Sequence, residues 1–151
     1  MLPGKSRWAS ASPRVAARRR PCRSSMRQAS LYDNSFFDHD IPYRVHHAQL
    51  ADDMIEIPTR RELIDFPYLA WGDSFPAGNA RIAIYDDVLD NWLRELDADY
   101  DMGYCYVLSV TPQTIGSPGR MFMLNTVLEQ ITRKNIWLAT GEEIAGYVKS
   151  L

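Results

Sequence analysis

Between residues 80 and 100 the apolar side chains recur at intervals of three and four: Ile82, Tyr85, Val88, Leu89, Trp92, Leu93 and Leu96. That spacing gathers them on one stripe of a helix and turns Asp86, Asp87, Asp90, Arg94 and Glu95 mostly toward water. Gly103 breaks the pattern. Residues 104–110 then form a nearly unbroken apolar run of β-formers, which suits a strand covered on both faces. Ser117-Pro118 opens a second helix, with Ser117 as N-cap and Pro118 in the first turn, where its missing N–H costs nothing. Its stripe is Met121, Leu124, Leu128 and Ile131, and Arg133-Lys134 complement the negative end of its dipole. Residues 136–139 form a short buried strand, and Thr140 with Glu143 makes a capping box for a last helix reaching Leu151. Upstream, residues 54–58 alternate and are stopped by Pro58, as a strand would be.

The order is therefore β, loop, α, β, loop, α, β, α. Strands alternating with helices predict an α/β fold with a parallel sheet and helices outside it. Residues 102–110 and 136–139 are predicted to be neighbouring parallel strands, joined by a right-handed crossover through the helix at 118–134. No run of about 18 apolar residues exists, so nothing is predicted to span a membrane.

Charge divides the chain more sharply than its net value of -2 suggests. Residues 1–30 carry eight Lys or Arg and no acid, and the first carboxylate is Asp33. Residues 31–151 carry nine bases against nineteen acids. The first segment is rich in Arg, Ser, Ala and Pro and has little apolar surface to bury, so it is expected to be a disordered basic tail. Organellar targeting, phosphate contact through Arg18-Arg19-Arg20, or a misread start are its readings. The functionless tail is preferred, because no aromatic or glycine pattern accompanies the arginines, and nucleic acid is not expected as a partner. Cys22 lies in that tail and Cys105 in an apolar strand, so no disulfide framework is expected. That usage fits a reducing, cytoplasmic compartment.

Four short motifs then occur in order. They are Tyr32-Asp33-Asn34-Ser35 with Asp38, Asp40, Pro42 and Tyr43; Ile55-Glu56-Ile57-Pro58 with Asp65-Phe66-Pro67; Leu108-Ser109-Val110-Thr111-Pro112 with Gly116-Ser117-Pro118-Gly119-Arg120; and Trp137-Leu138-Ala139-Thr140 with Glu142-Glu143-Ile144-Ala145. Together they resemble the C-terminal part of the polysaccharide deacetylases, on the branch of the peptidoglycan and cyclic-amide deacetylases, over residues 31–151. The resemblance implies the C-terminal portion of an incomplete (β/α) barrel, with its site at the C-terminal ends of the strands. It implies hydrolysis of an acetamide or other non-peptide C–N bond in carbohydrate metabolism. A divalent metal, usually zinc, would be held by one Asp and two His, with a second Asp as base and a late-strand His as acid.

Against that pattern the chain departs twice. The metal ligands should lie upstream of residue 33, where there is neither carboxylate nor histidine. The histidines are His39, His46 and His47; Asp38, His39 and Asp40 are adjacent in a loop, point apart and lack a fourth ligand, so no metal is assigned to this chain. Thr111 stands where the resemblance places the catalytic His, and a hydroxyl that does not titrate near neutrality is no general acid. Thr111 then either marks that lost position or simply caps a strand end. Asp65 either orients the site or caps the Phe66-Pro67 turn. Trp71, Tyr68 and Phe75 either line a sugar groove or pack, and Arg120 either binds an anion or carbonyl or is solvated. The pocket candidates are Asp65, Trp71 and Arg120. The expectation is a truncated, inactive relative of the family, with a carbohydrate or small amide as ligand. The alternatives are a carbohydrate-binding remnant, or a subunit that a second copy or a complementing chain completes.

Overall fold

The computed structural model describes residues 7–13, 31–46, 53–70 and 82–151. Their elements run β1 (Arg7–Pro13), β2 (Tyr32–Asp33), β3 (Tyr43–Val45), β4 (Met54–Glu56), α1 (Phe66–Leu69), α2 (Tyr85–Met102), β5 (Cys105–Val110), α3 (Pro112–Ile115), α4 (Pro118–Arg133), β6 (Ile136–Leu138) and α5 (Gly141–Ser150). A 3-10 turn, Arg61–Leu63, precedes α1.

Helix boundaries follow the local signals closely. α2 ends at Gly103, whose φ of 73° is the left-handed conformation that glycine adopts without strain, and whose N–H donates to the Asp99 carbonyl. α5 starts with the expected capping box: Glu143 N–H donates to Thr140 Oγ1 at 3.3 Å, and Thr140 N–H donates to Glu143 Oε2 at 2.7 Å. Ser117 holds the N-cap position of α4, but its side chain makes no capping bond. The buried stripe of α4 is Met123, Val127 and Ile131; Met121 and Leu128 face solvent and Leu124 is half-buried. The helix is turned by about one residue from the predicted face, because Leu and Met on both candidate stripes gave the pattern no contrast.

The sheet departs from the expected order. β5, β1 and β6 form a three-stranded parallel sheet in that sequence, with Trp8 level with Cys105 on one side and with Trp137 on the other. The strands at 105–110 and 136–138 are thus parallel and in one sheet, but β1 separates them. β1 lies within the segment expected as a tail. A central strand needs a backbone ladder on both sides more than it needs large side chains, and composition is blind to that. Pro13, which has no N–H to donate, is its last residue. A second three-stranded sheet has the order β2-β4-β3, parallel between β2 and β4 and antiparallel between β3 and β4. The expectation of parallel pairing alone therefore fails at β3.

β5 is buried on both faces, as its composition predicts. Tyr106 and Leu108 enter a core with Trp92 and Leu96 of α2 and with Met123 and Val127 of α4. Cys105 and Val107 point the other way, into a core with Ile55, Ile57, Ile144 and Ala145. The alternation of the strand thus divides two apolar layers. Among the described residues, no helix is long and apolar enough to cross a membrane.

Candidate functional site

The C-terminal end of β5 holds the densest chemistry among the residues singled out from the sequence. After the turn at Arg61–Leu63, Ile64 bridges to Ser109 in parallel fashion, and Asp65 N–H donates to the Ser109 carbonyl at 3.1 Å. The chain thereby lies along the free side of β5 for two residues and delivers the Asp65 side chain to the strand end. Asp65 is 0% exposed. Its Oδ2 accepts the Thr111 N–H at 2.8 Å, while its Oδ1 is buried with no hydrogen-bond partner. Burial drives its pKa above the ordinary carboxylate range, and the bonds from the Thr111 backbone and hydroxyl pull it back only partly.

Asp65 and Thr111, singled out separately from the sequence, are therefore direct partners. The alternative role for Asp65, capping the turn at Phe66-Pro67, is not the one its side chain takes. Its carbonyl starts α1 by accepting from Tyr68 and Leu69, and no side-chain capping bond forms. Thr111 likewise starts α3 through its carbonyl, which accepts from Thr114 at 2.8 Å and Ile115 at 2.9 Å.

Arg120 is linked to this strand end through α3. Its Nη1 donates to the Thr114 carbonyl at 2.7 Å, and its Nε donates to the Tyr85 hydroxyl at 3.2 Å. Its guanidinium also lies 5.8 Å from the centre of the Tyr85 ring. The solvated reading is wrong: Arg120 braces α2, α3 and the start of α4, a task suited to its rigid fork of donors. Tyr68 is half-buried and packs against the core around Trp92. Trp71, Phe75 and His47 lie outside the described residues.

A second polar centre was not singled out from the sequence. Arg60 is sandwiched by acids: its Nη1 lies 2.9 Å from Glu95 Oε2, its Nη2 bonds Asp99, and Asp40 and Glu62 each approach to 3.9 Å. Asp99 is buried, and burial lifts its pKa to about 6 although Arg60 opposes the shift. The signal was present, since Asp99 continues the Val88, Trp92, Leu96 stripe at helical spacing. Glu56 is the other unforeseen carboxyl. It is 0% exposed, its Oε1 accepts the Phe36 N–H at 2.8 Å, and burial pushes its pKa up to about 7. A carboxylate inside a five-residue apolar run was its signal. Residues 37–40 and 60–62, Arg60 among them, line a cleft of about 250 Å³.

These donors do not make a zinc site. Among the described residues, no three His, Cys, Asp or Glu side chains converge as metal ligands. Asp38 accepts from the Tyr43 hydroxyl, His39 packs edge-on against the Tyr43 ring at 5.0 Å, and His46 Nδ1 meets Asp53 Oδ1. Each group is committed to a local partner, and a tetrahedral ion needs several at about 2 Å.

The same fold occurs in solved hydrolase structures. A candidate polysaccharide deacetylase from Mycobacterium smegmatis superposes with a TM-score of 0.70 at 27% identity, over 80% of this chain and 41% of that one. PuuE allantoinase superposes at 0.68 with 19% identity, over 83% and 41%. A probable polysaccharide deacetylase from Pseudomonas aeruginosa PAO1 gives 0.66 at 19% identity, over 82% and 40%. The chain has a deacetylase-like α/β fold. It spans about two fifths of the length of each of these structures. No protein-family model matches the sequence, and no curated protein matches it either.

Proposed function

We propose that this chain is part of a polysaccharide-deacetylase-like hydrolase, of the type that cleaves a non-peptide C–N bond in an acetamide or cyclic amide, and that the chain itself does not carry out metal-assisted hydrolysis. The pairing of buried Asp65 with Thr111 carries the reading. A carboxylate fixed at a strand end beside the next residue of the chain is placed to orient an imidazole there. In this chain it holds a backbone N–H and a hydroxyl instead. A hydroxyl that stays protonated at neutral pH cannot deliver a proton to a leaving amine, and loss of a general acid costs about 10²–10⁴ in rate. The parallel β5-β1-β6 sheet with α2 and α4 packed on one face supports the C-terminal portion of an incomplete barrel. Coverage of two fifths of the related structures supports a partial domain.

A carbohydrate-binding role without chemistry is the second reading, favoured by the open cleft at 37–40 and 60–62, beside which Phe36 and Phe37 are exposed. The purified chain, incubated with zinc, is to be assayed on N-acetylglucosamine oligomers and on allantoin, with elemental analysis after desalting. The expected result is no chelator-sensitive acetate release or ring opening, and no retained zinc. About one tightly held zinc per chain, or chelator-sensitive turnover, overturns the proposal of inactivity. Shifts of the Phe36 and Phe37 resonances on adding the oligomers, without turnover, select the second reading.

A further inference from the structure

One buried titratable group takes no part in the strand-end chemistry at Asp65. Glu56 is the middle of a row across the β2-β4-β3 sheet: Asp33 is its ladder partner on one side and Tyr43 on the other. The Tyr43 hydroxyl donates to Asp38 at 3.0 and 3.1 Å, which extends the row to three carboxyl groups and a phenol. Glu56 Oε2 is buried without a hydrogen-bond partner, whereas Oε1 holds the Phe36 N–H. Phe36 lies in the middle of the segment 34–41, whose ends are held by the Thr59 hydroxyl, which donates to the Asn34 carbonyl at 3.5 Å, and by the Cys105 N–H, which donates to the Asp40 carbonyl at 3.1 Å. Thr59 N–H donates to the Phe36 carbonyl at 3.1 Å, and Asp33 Oδ1 accepts from Asn34 N–H and Ser35 Oγ at its start. The remaining elements against β4 are β5, which meets it through Cys105 and Val107, and α5, which meets it through apolar Ile144 and Ala145. Arg44, the cation of β3, spends its guanidinium on the carbonyls of Val148 and Lys149.

We propose that Glu56 is a proton-operated latch, which fastens the 34–41 segment against β4 when protonated and releases it when ionised. The inference rests on the fold alone and is independent of the hydrolase reading. In the fastened state an ionised Glu56 is cut off from water and faces Asp33 and Asp38, and the backbone N–H groups of Phe36 and Ser35 satisfy it only in part. In the released state it is hydrated. Burial, and then Asp33 and Asp38, therefore raise its pKa from 4.5 to about 7 in the fastened state. A folded-state value above the released one means that the fastened form binds the proton more tightly. Fastening is thus complete below the ordinary Glu range and is lost as pH rises toward 7. Because this segment supplies residues 37–40 of the cleft, the shape of the cleft becomes a function of pH.

The test is amide hydrogen exchange of the full chain from pH 5 to 8, corrected for intrinsic exchange. Phe36 and Thr59 report the latch, and Val127 reports opening of the core. The expected protection of Phe36 and Thr59 stays below that of Val127 and falls about tenfold per pH unit between roughly 5 and 7. Glu56→Gln flattens that slope. Asp33→Asn keeps the Oδ1 acceptor for Asn34 and Ser35 but removes a charge that raises the Glu56 pKa, so the fall levels off at a lower pH in the variant, and that shift decides the matter should Glu56→Gln not fold. A flat profile in the wild type, an undiminished slope in Glu56→Gln, or exchange of Phe36 only at the Val127 rate overturns the latch.

Discussion

Replacing Arg60 by Met keeps most of the aliphatic stem and removes the charge from a centre that is otherwise entirely acidic. Arg60 is 18% exposed, and Asp99, its most buried partner, is 3% exposed at the side chain. Removing one member of a buried ion pair typically costs about 3–5 kcal/mol, because the survivor stays buried and uncompensated. Asp99 has an escape, which is to take up a proton. Its pKa is already raised to about 6 with Arg60 present, and loss of the arginine raises it further. A carboxylate whose folded pKa lies above its unfolded one weakens the fold as pH rises through that interval. In Arg60→Met the interval extends beyond pH 6, so the loss of stability relative to wild type grows by up to about 1.4 kcal/mol per pH unit there. The expected loss is about 3 kcal/mol at pH 8 and about 1 kcal/mol at pH 5, where Asp99 is mostly protonated in both proteins. Urea unfolding followed by circular dichroism at both pH values gives the two differences directly. Adding Asp99→Asn to Arg60→Met should recover most of the loss at pH 8. A pH-independent loss below about 0.5 kcal/mol, or no recovery in the double variant, refutes the reasoning, for Arg60 would then act as an ordinary surface cation.

Two further outcomes follow from single contacts. A Cβ at Gly141 would run into the Tyr32 ring, so Gly141→Ala should lower stability by about 1–3 kcal/mol in thermal unfolding, and an unchanged midpoint would show that Tyr32 moves aside freely. Thr111→His sets an imidazole beside buried Asp65, whose bond to the backbone N–H of residue 111 does not depend on the side chain. Its pKa should rise above the ordinary value of about 6.5 in an NMR titration, with no gain of amidase activity; a lowered pKa, or measurable turnover, contradicts this.

Legibility in the sequence tracked the range over which each signal acts. Capping at Thr140 and Glu143 and termination at Gly103 depend on residues within four positions, and both are where the pattern puts them. The register of α4 was read one face off, since its apolar residues surround more than one stripe and only its neighbours decide which is buried. β1 could not be read at all. Its place between β5 and β6 is set by backbone pairing with segments more than ninety residues away, and its composition carries no trace of that.

The polar centres show the same division. Asp65 and Thr111 were found because each sits at a strand end or turn, but their partnership was invisible, since it depends on the chain after Leu63 running alongside β5. Glu56 and Asp99 were missed for the opposite reason. Neither stood out by its charge: Asp99 continues the apolar stripe of α2 at helical spacing, and Glu56 stands inside a short strand whose neighbours carry it into the interior. A carboxylate at a core position of a periodic pattern is costly unless something compensates it. For Asp99 the compensation is Arg60, and for Glu56 it is a proton. The two buried acids thus answer to different changes: removal of Arg60 exposes the cost of burying Asp99, whereas the cost of burying Glu56 follows pH and the neighbouring charges of Asp33 and Asp38.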